Sequence, residues 1–204
     1  MAATESIWSG GGSPYAANSK KFGMWLFIIS DALTFSALLM AYTYLRLSTP
    51  DWPKPFHFSP SIIFSSVMTF CLLSSSLTMV MGVRSMHHGN RSATVKWILA
   101  TIAGGVAFVV LHATEWRNLI VNEHMSPSSN EWGEPLFGAT FFGITGLHMT
   151  HVAIGVIYLT IIMTGVGRGK FKYEDVEVAG LYWHFVDLVW MFVFPLVYLM
   201  SAKI

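Results

Sequence analysis

Five ionisable side chains lie in the middle of long apolar stretches, where charged groups are rare. They are Asp31, His148, His151, His184 and Asp187. Placing such a group at the centre of a bilayer costs at least ~2.5 kcal/mol, so these groups have to face protein or trapped water. We therefore expect them to form a polar membrane core, in which carboxylates pair with imidazoles or stay protonated.

The histidines allow more than one kind of chemistry. Four of them lie in apolar stretches: His112, His148, His151 and His184. Two facing imidazoles could hold a haem, and an imidazole with a carboxylate could hold a metal ion. The alternatives are a hydrogen-bonded core that fixes helix register, and a proton-conducting or lipid-contacting role. The sequence contains no HExxH motif, phosphate-binding loop or dinucleotide fingerprint, so self-contained soluble chemistry is disfavoured.

Two further carboxylates are secondary candidates. Glu115 is predicted near the end of its helix and close to Arg117, so we expect it to be shallow and partly wet. Glu177 stands at the head of the last apolar stretch. Both belong to the ends of the predicted helices rather than to their middle.

Composition indicates that these residues are positioned by membrane helices. The chain has 204 residues, 53% of them hydrophobic and 11% charged, whereas soluble proteins carry about 25% charged residues. Five stretches have the length of about 20 apolar residues that a bilayer requires. They are approximately Phe22–Leu45, Ser61–Ser85, Ala93–Leu119, Leu136–Val166 and Glu177–Met200. The predicted fold is all-α, a polytopic membrane protein with five transmembrane helices in one bundle.

The rest of the chain adds little chemistry. Residues 1–19 are predicted to be a flexible N-terminal tail without signal-peptide features, and residues 20–204 to be one membrane domain. The formal net charge of +1 gives no argument for nucleic acid. A single cysteine, Cys71, excludes an internal disulfide and a multi-cysteine metal site.

The last stretch carries a polar or small stripe. At ~100° per residue its members fall within a sector of roughly 80°. They are Glu177, Gly180, His184, Asp187 and Met191. We expect this stripe to face other helices and the remaining apolar surface to face lipid. The second stretch is rich in serine and threonine, which predicts close helix packing and interhelical hydrogen bonds.

The basic residues predict the orientation. Eight lie on the side of the N-terminus and four on the opposite side, which favours a cytoplasmic N-terminus and an external C-terminus. The first group is Lys20, Lys21, Arg84, Arg91, Lys96, Arg168, Lys170 and Lys172, and the second is Arg46, Lys54, Arg117 and Lys203.

Four segments together resemble subunit III of the haem–copper oxidases, of both the cytochrome c and the quinol type. They are LYWHFVDLVWMFVF at Leu181–Phe194, GATFFGITGLHMTHVAIGV at Gly138–Val156, GMWLFIISDALTF at Gly23–Phe35 and LHATEWRNLIVN at Leu111–Asn122. They occur in the order of the family and cover the chain from about Lys20 onward. Many members have Glu where this chain has Asp31. The family often has seven spans, and this chain resembles the last five of them. A five-span form resembles bacterial members, so the resemblance implies the inner membrane of a bacterium.

The resemblance implies a non-catalytic subunit of a proton-pumping terminal oxidase that reduces oxygen to water. The chain would carry no haem or copper, since these belong to subunits I and II, and it could hold a phospholipid. It would contact subunit I above all, steady it and support its proton uptake, next to subunit II and other subunits or a larger respiratory supercomplex. Asp31 is then the foremost site candidate.

Two other functions stay open at this stage. One is a haem-binding membrane subunit of a quinol-oxidising complex, for which the histidines would be the ligands. The other is a stand-alone proton channel, which would need no partner subunits. Haem absorption separates the first from the oxidase subunit, and proton flux in liposomes separates the second.

Overall fold

Five long helices make up nearly all of the computed structural model, which describes residues 19–57, 61–122, 124–126 and 135–203. The helices are α1 (Ser19–Ser48), α2 (Ile63–His87), α3 (Arg91–Asn122), α4 (Pro135–Gly167) and α5 (Tyr173–Val193). All five are long and apolar enough to cross a membrane. The predicted all-α, five-span fold is thereby confirmed. Helices α1 to α4 contain nearly all of their predicted spans, and the last predicted span continues past α5 into the helical turns up to Ser201.

Most of the predicted N-terminal tail lies outside the described residues. Ser19, which was assigned to the tail, is already the first residue of α1. Helix α1 therefore begins three residues before the predicted span at Phe22. Because successive helices run in opposite directions, one end of the bundle holds the start of α1, and the other holds its end. We call them the Lys20 end and the Arg46 end.

Local sequence explains where two of the helices begin and end. Gly89 adopts a φ of +74°, which glycine tolerates, in the turn between α2 and α3. The Asn90 side chain then accepts a hydrogen bond of 3.0 Å from the amide of Ala93 and so caps α3. Pro195 has no amide hydrogen to continue α5, and the chain passes there into the π-helical turn Phe194–Tyr198.

Helix α5 lies at the centre of the bundle. It packs against α1, α2 and α4, while α2 packs on α3 and α3 on α4. Half of the α5 span is buried, against 11% of the α1 span, so α1 is the peripheral helix. The residues of α5 therefore decide which side chains of the other helices can meet.

The expectation that the apolar surface of α5 faces lipid is wrong. Trp183 and Trp190 are fully buried, whereas Met191, a member of the predicted inward stripe, is 43% exposed. The reason is that α5 has neighbours on three sides, so its large side chains also have to pack against protein. Leu188 and Phe192 supply most of its outward surface.

The segment after α5 closes the Arg46 end. The Arg46 guanidinium donates a hydrogen bond to the carbonyl of Met200. The hydroxyl groups of Tyr42 and Ser201 are 2.8 Å apart. A parallel two-residue β pairing adds a further connection, between Phe56–His57 and Ala202–Lys203. These contacts attach the end of α1 and the loop after it to the last residues described.

Candidate functional site

The first polar contact joins the peripheral helix to the bundle. Asp31 on α1 and His151 on α4 approach to 3.4 Å between Oδ2 and Nε2. Their side chains are 13% and 14% exposed. The predicted pairing of a carboxylate with an imidazole is therefore present, at ion-pair distance.

The backbone defines which nitrogen of His151 faces Asp31. Nδ1 lies 2.8 Å from the carbonyl oxygen of Leu147, and a carbonyl can only accept, so Nδ1 carries a hydrogen. Nε2 is therefore the nitrogen that faces the Asp31 carboxyl group. Phe35 packs edge-on against the His151 ring at 5.5 Å. An aromatic ring therefore covers one side of the pair.

The second polar contact lies between α2 and α5. Ser76 Oγ and His184 Nδ1 are 2.7 Å apart. The carboxyl group of Asp187, one turn further along α5, is 8% exposed, and its Oδ1 atom has no hydrogen-bond partner among the described residues. The contact of His184 is of the kind predicted for the α2 hydroxyl groups.

Ser76→Ala is expected to destabilise the chain by about 1 kcal/mol, because it removes the hydrogen-bond partner of a half-buried imidazole. Ser66→Ala is the matched control, since Ser66 donates to the carbonyl of Ile62 on its own helix. The free energy of unfolding of the purified chain in mixed detergent measures both. Equal stabilities of the two variants would contradict the contact.

The third polar contact is buried near the Arg46 end. Ser65 on α2 donates to Glu115 Oε1 at 2.7 Å, and Tyr198 donates to Glu115 Oε2 at 2.8 Å. Glu115 is only 8% exposed, so the prediction that it is an exposed group beside Arg117 was wrong, although it lines a cavity that opens at the Arg46 end. Its sequence neighbour Arg117 points outward, because residues two apart on a helix face different sides.

His148 does not join Asp31 and His151. It is fully buried, and its ring stacks on Trp190 with centroids 5.0 Å apart. At ~100° per residue, side chains three apart diverge by about 60°, which directs His151 toward α1 and His148 toward α3 and α5. The five predicted residues therefore do not form one polar core, and their functional role stays a prediction.

Ion pairs at the Lys20 end connect α1 to the start of α5. Lys21 lies 2.7 Å from the carboxylate of Glu177, and Lys20 lies 2.6 Å from that of Asp175. The Lys21 side chain is 43% exposed and that of Lys20 is 65% exposed. Exposed pairs of this kind contribute little to stability and orient α1 rather than anchor it.

Two tryptophans of α5 donate hydrogen bonds to α2, and the sequence did not predict these contacts. Trp183 donates its indole hydrogen to Ser75 at 3.1 Å, and Trp190 donates to Thr69 at 2.9 Å. The predicted interhelical role of the α2 hydroxyl groups is thus confirmed. The signal available in the sequence was a hydroxyl-rich helix together with a tryptophan-rich one, since a buried indole requires an acceptor.

Grooves and cavities lie beside these contacts. A cavity of about 210 Å³ opens at the Arg46 end beside Glu115. A second, of about 290 Å³, is an apolar groove between α1 and α5 in the middle of the span. Its lining includes Ala32, Ser36, Leu39, Phe185 and Phe192.

Comparison with known proteins gives one consistent result. The family model described as cytochrome c oxidase subunit III matches residues 2–202. A cytochrome c oxidase subunit 3 of Alkalihalophilus pseudofirmus is 31% identical over 90% of this chain and 88% of its own length. A cytochrome bo(3) ubiquinol oxidase subunit 3 of Pseudomonas aeruginosa is 31% identical over 89% and 85%. A cytochrome c oxidase subunit 3 of Hippopotamus amphibius is 31% identical over 95% and 74%.

Proposed function

Because this chain belongs to the cytochrome c oxidase subunit III family, we propose that it is a non-catalytic membrane subunit of a haem–copper terminal oxidase. The oxidase reduces oxygen to water in aerobic respiration. This chain packs against subunit I, stabilises it and supports its proton uptake, with subunit II and other oxidase subunits nearby. Haem and copper lie in subunits I and II, and this chain carries neither.

The Asp31–His151 pair is the observation that carries this proposal. The two side chains approach to 3.4 Å inside the membrane span and on the most exposed helix of the bundle. An imidazole next to a carboxyl group offers two neighbouring sites at which a proton can bind. A proton-holding group at the periphery suits a subunit that assists a neighbour more than one with its own reaction centre.

The exposed surface of α1 suits a partner in the membrane. Leu33 is 68% exposed and Met40 is 72% exposed. The groove between α1 and α5 runs beside them and is apolar. We propose that the acyl chain of a phospholipid occupies this groove, where subunit and lipid meet.

The histidine environment argues against a haem of this chain's own. Trp190 stacks on His148 at 5.0 Å and contacts His112 at 5.5 Å. These two imidazoles are packed among aromatic side chains in the centre of the bundle, which leaves no cleft of porphyrin size beside them among the cavities described above. A Soret band from the purified chain would contradict the proposal and support a haem-binding subunit.

The orientation proposed is the one that the basic residues favour. The Lys20 end, with the excess of Lys and Arg, faces the cytoplasm of a bacterium, and the Arg46 end faces the periplasm. Cysteine-accessibility labelling in intact cells and in inverted vesicles tests this. Labelling of a cysteine at Asn90 from the periplasm would reverse the orientation.

Asp31→Ala tests the role of the pair. We expect the variant to insert normally but to weaken assembly with subunit I or to shorten the period of sustained turnover, because His151 loses its carboxyl partner. Asp51→Ala is the matched control, since Asp51 is exposed in the loop after α1. Co-purification of subunit I and oxygen consumption over many turnovers measure the effect.

If Asp31→Ala matches both Asp51→Ala and the unmodified oxidase in assembly and long-term turnover, Asp31 has no role in supporting the complex. Loss of insertion itself would also count against the proposal, because it would make Asp31 a folding residue. Protease protection of the membrane-inserted chain separates insertion from assembly.

A further inference from the structure

Two histidines are buried without a hydrogen bond. His112 and His148 are both fully buried. Neither ring nitrogen of either residue has a hydrogen-bond partner among the residues that the structure describes, and the same holds for the indole nitrogen of Trp116. Buried polar groups are nearly always satisfied by protein or by ordered water.

These groups lie close together. Phe108 contacts the ring of His112 at 5.5 Å and that of His148 at 5.7 Å. Trp190 contacts the same two rings at 5.5 Å and 5.0 Å. Trp116 is next to His112, with ring centroids 5.7 Å apart. The five polar nitrogens are therefore concentrated in one region between α3, α4 and α5.

The two imidazoles and the indole together suit a neutral ligand that can both donate and accept hydrogen bonds. Each neutral imidazole has one donor and one acceptor, and the indole adds a donor. Water makes two to four hydrogen bonds in protein interiors, so one or two molecules would satisfy these groups. No group of three or more His, Cys, Asp or Glu side chains in the described part of the chain is placed to hold a metal ion.

A polar side chain lies between this region and the surface. Glu115 is one turn from His112 on α3, and it lines the cavity that opens at the Arg46 end. Ser61, Thr114 and Asn118 also line this cavity and can bind water at its mouth. Exchange of water with the solvent therefore has a polar starting point one helical turn from His112.

We propose that His112, His148 and Trp116 form an internal water-binding site, supplied from the Glu115 cavity. The site extends the polar interior from Glu115 toward the Asp31–His151 pair in the middle of the membrane. The water-binding site does not depend on the proposed role of Asp31 in the oxidase, so one proposal can be wrong without affecting the other.

X-ray radiolytic labelling of the intact oxidase in ¹⁸O water tests the site directly. Radicals formed from bound water oxidise the side chains next to it. Trp190 and Trp116 are expected to incorporate ¹⁸O, while Trp183 is not. Trp183 is the internal control because it is as buried as Trp190, and its indole nitrogen donates a hydrogen bond to Ser75. Labelling of Trp190 and Trp116 no higher than that of Trp183 would overturn the site.

Two substitutions at His112 give an independent measurement. If water binds there, His112→Leu removes hydrogen bonds from it, and the melting temperature of the oxidase falls below that of His112→Gln, which keeps a donor and an acceptor. The ¹⁸O label on Trp190 also falls to the level of Trp183. If the imidazole is dry, His112→Leu removes an unsatisfied polar group and raises the melting temperature, which would contradict the proposal.

Discussion

Gly105→Leu is expected to lower the folding free energy and the melting temperature of the chain. A Cβ atom at Gly105 would lie 2.5 Å from the Trp183 ring and 2.9 Å from Val156. Trp183 is fully buried and donates a hydrogen bond to Ser75, so moving its ring would disrupt both the packing and this hydrogen bond. Overpacking of this kind costs about 3 kcal/mol, or roughly 10 °C in melting temperature.

Gly143→Leu on α4 is the matched control, because nothing lies within 4 Å of a Cβ atom there. Thermal unfolding of the purified chain in detergent compares the two, without interference from contacts to other subunits. If both variants melt at the same temperature, α3 and α5 do not approach as closely as the contact between Gly105 and Trp183 requires.

Glu115→Ala is expected to cost about 2–4 kcal/mol of folding free energy. The change leaves the fully buried Tyr198 hydroxyl without its acceptor and opens space beside it. Ser65 is less affected, since its hydroxyl hydrogen can then be donated to the carbonyl of Ser61, which lies 3.0 Å away. Glu115→Gln retains an acceptor oxygen and should lose only about 1 kcal/mol.

A double-mutant cycle with Tyr198→Phe isolates this hydrogen bond. On the Tyr198→Phe background, Glu115→Ala should cost less than on the natural chain, because the donor is already absent. Unfolding free energies from denaturant titration in detergent supply the four values. Additive effects would mean that Glu115 and Tyr198 do not interact.

The helices were predictable because bilayer thickness sets a simple requirement on sequence. A helix of about 20 apolar residues meets this requirement, because all of its backbone hydrogen bonds are made within the helix. Asp31 stands well inside such a stretch, so its position within the span followed directly. The termini were less certain, since α1 includes Ser19 and two lysines that pair with carboxylates of α5, and hydropathy alone did not place them in the helix.

The partners of the ionisable groups could not be obtained in the same way. Whether His148 or His151 meets Asp31 depends on the rotation of α4 about its axis, which packing against α3 and α5 determines. Glu115 was misjudged for a similar reason, since its acceptor role depends on Tyr198, 83 residues later in the chain. Periodicity places a residue on a face, but it does not identify what that face contacts.

The packing at the centre of the bundle also could not be predicted from the sequence. A tryptophan in a membrane helix can equally well face lipid, an interface or protein. Trp183 faces protein because Gly105 and Gly155 leave room for its ring, and these glycines lie on two other helices. Such a fit between distant positions is visible only when the helices are assembled.

The peripheral place of α1 has a consequence for biosynthesis. Its main neighbours, α5 and α4, are the last helices to be translated. Positions 31 and 151 are 120 residues apart, and at about 5–20 residues/s the ribosome needs roughly 6–24 s to reach the histidine. During that interval the carboxyl group of Asp31 lacks its histidine partner. The contact that joins α1 to α4 can therefore form only when translation of the chain is well advanced.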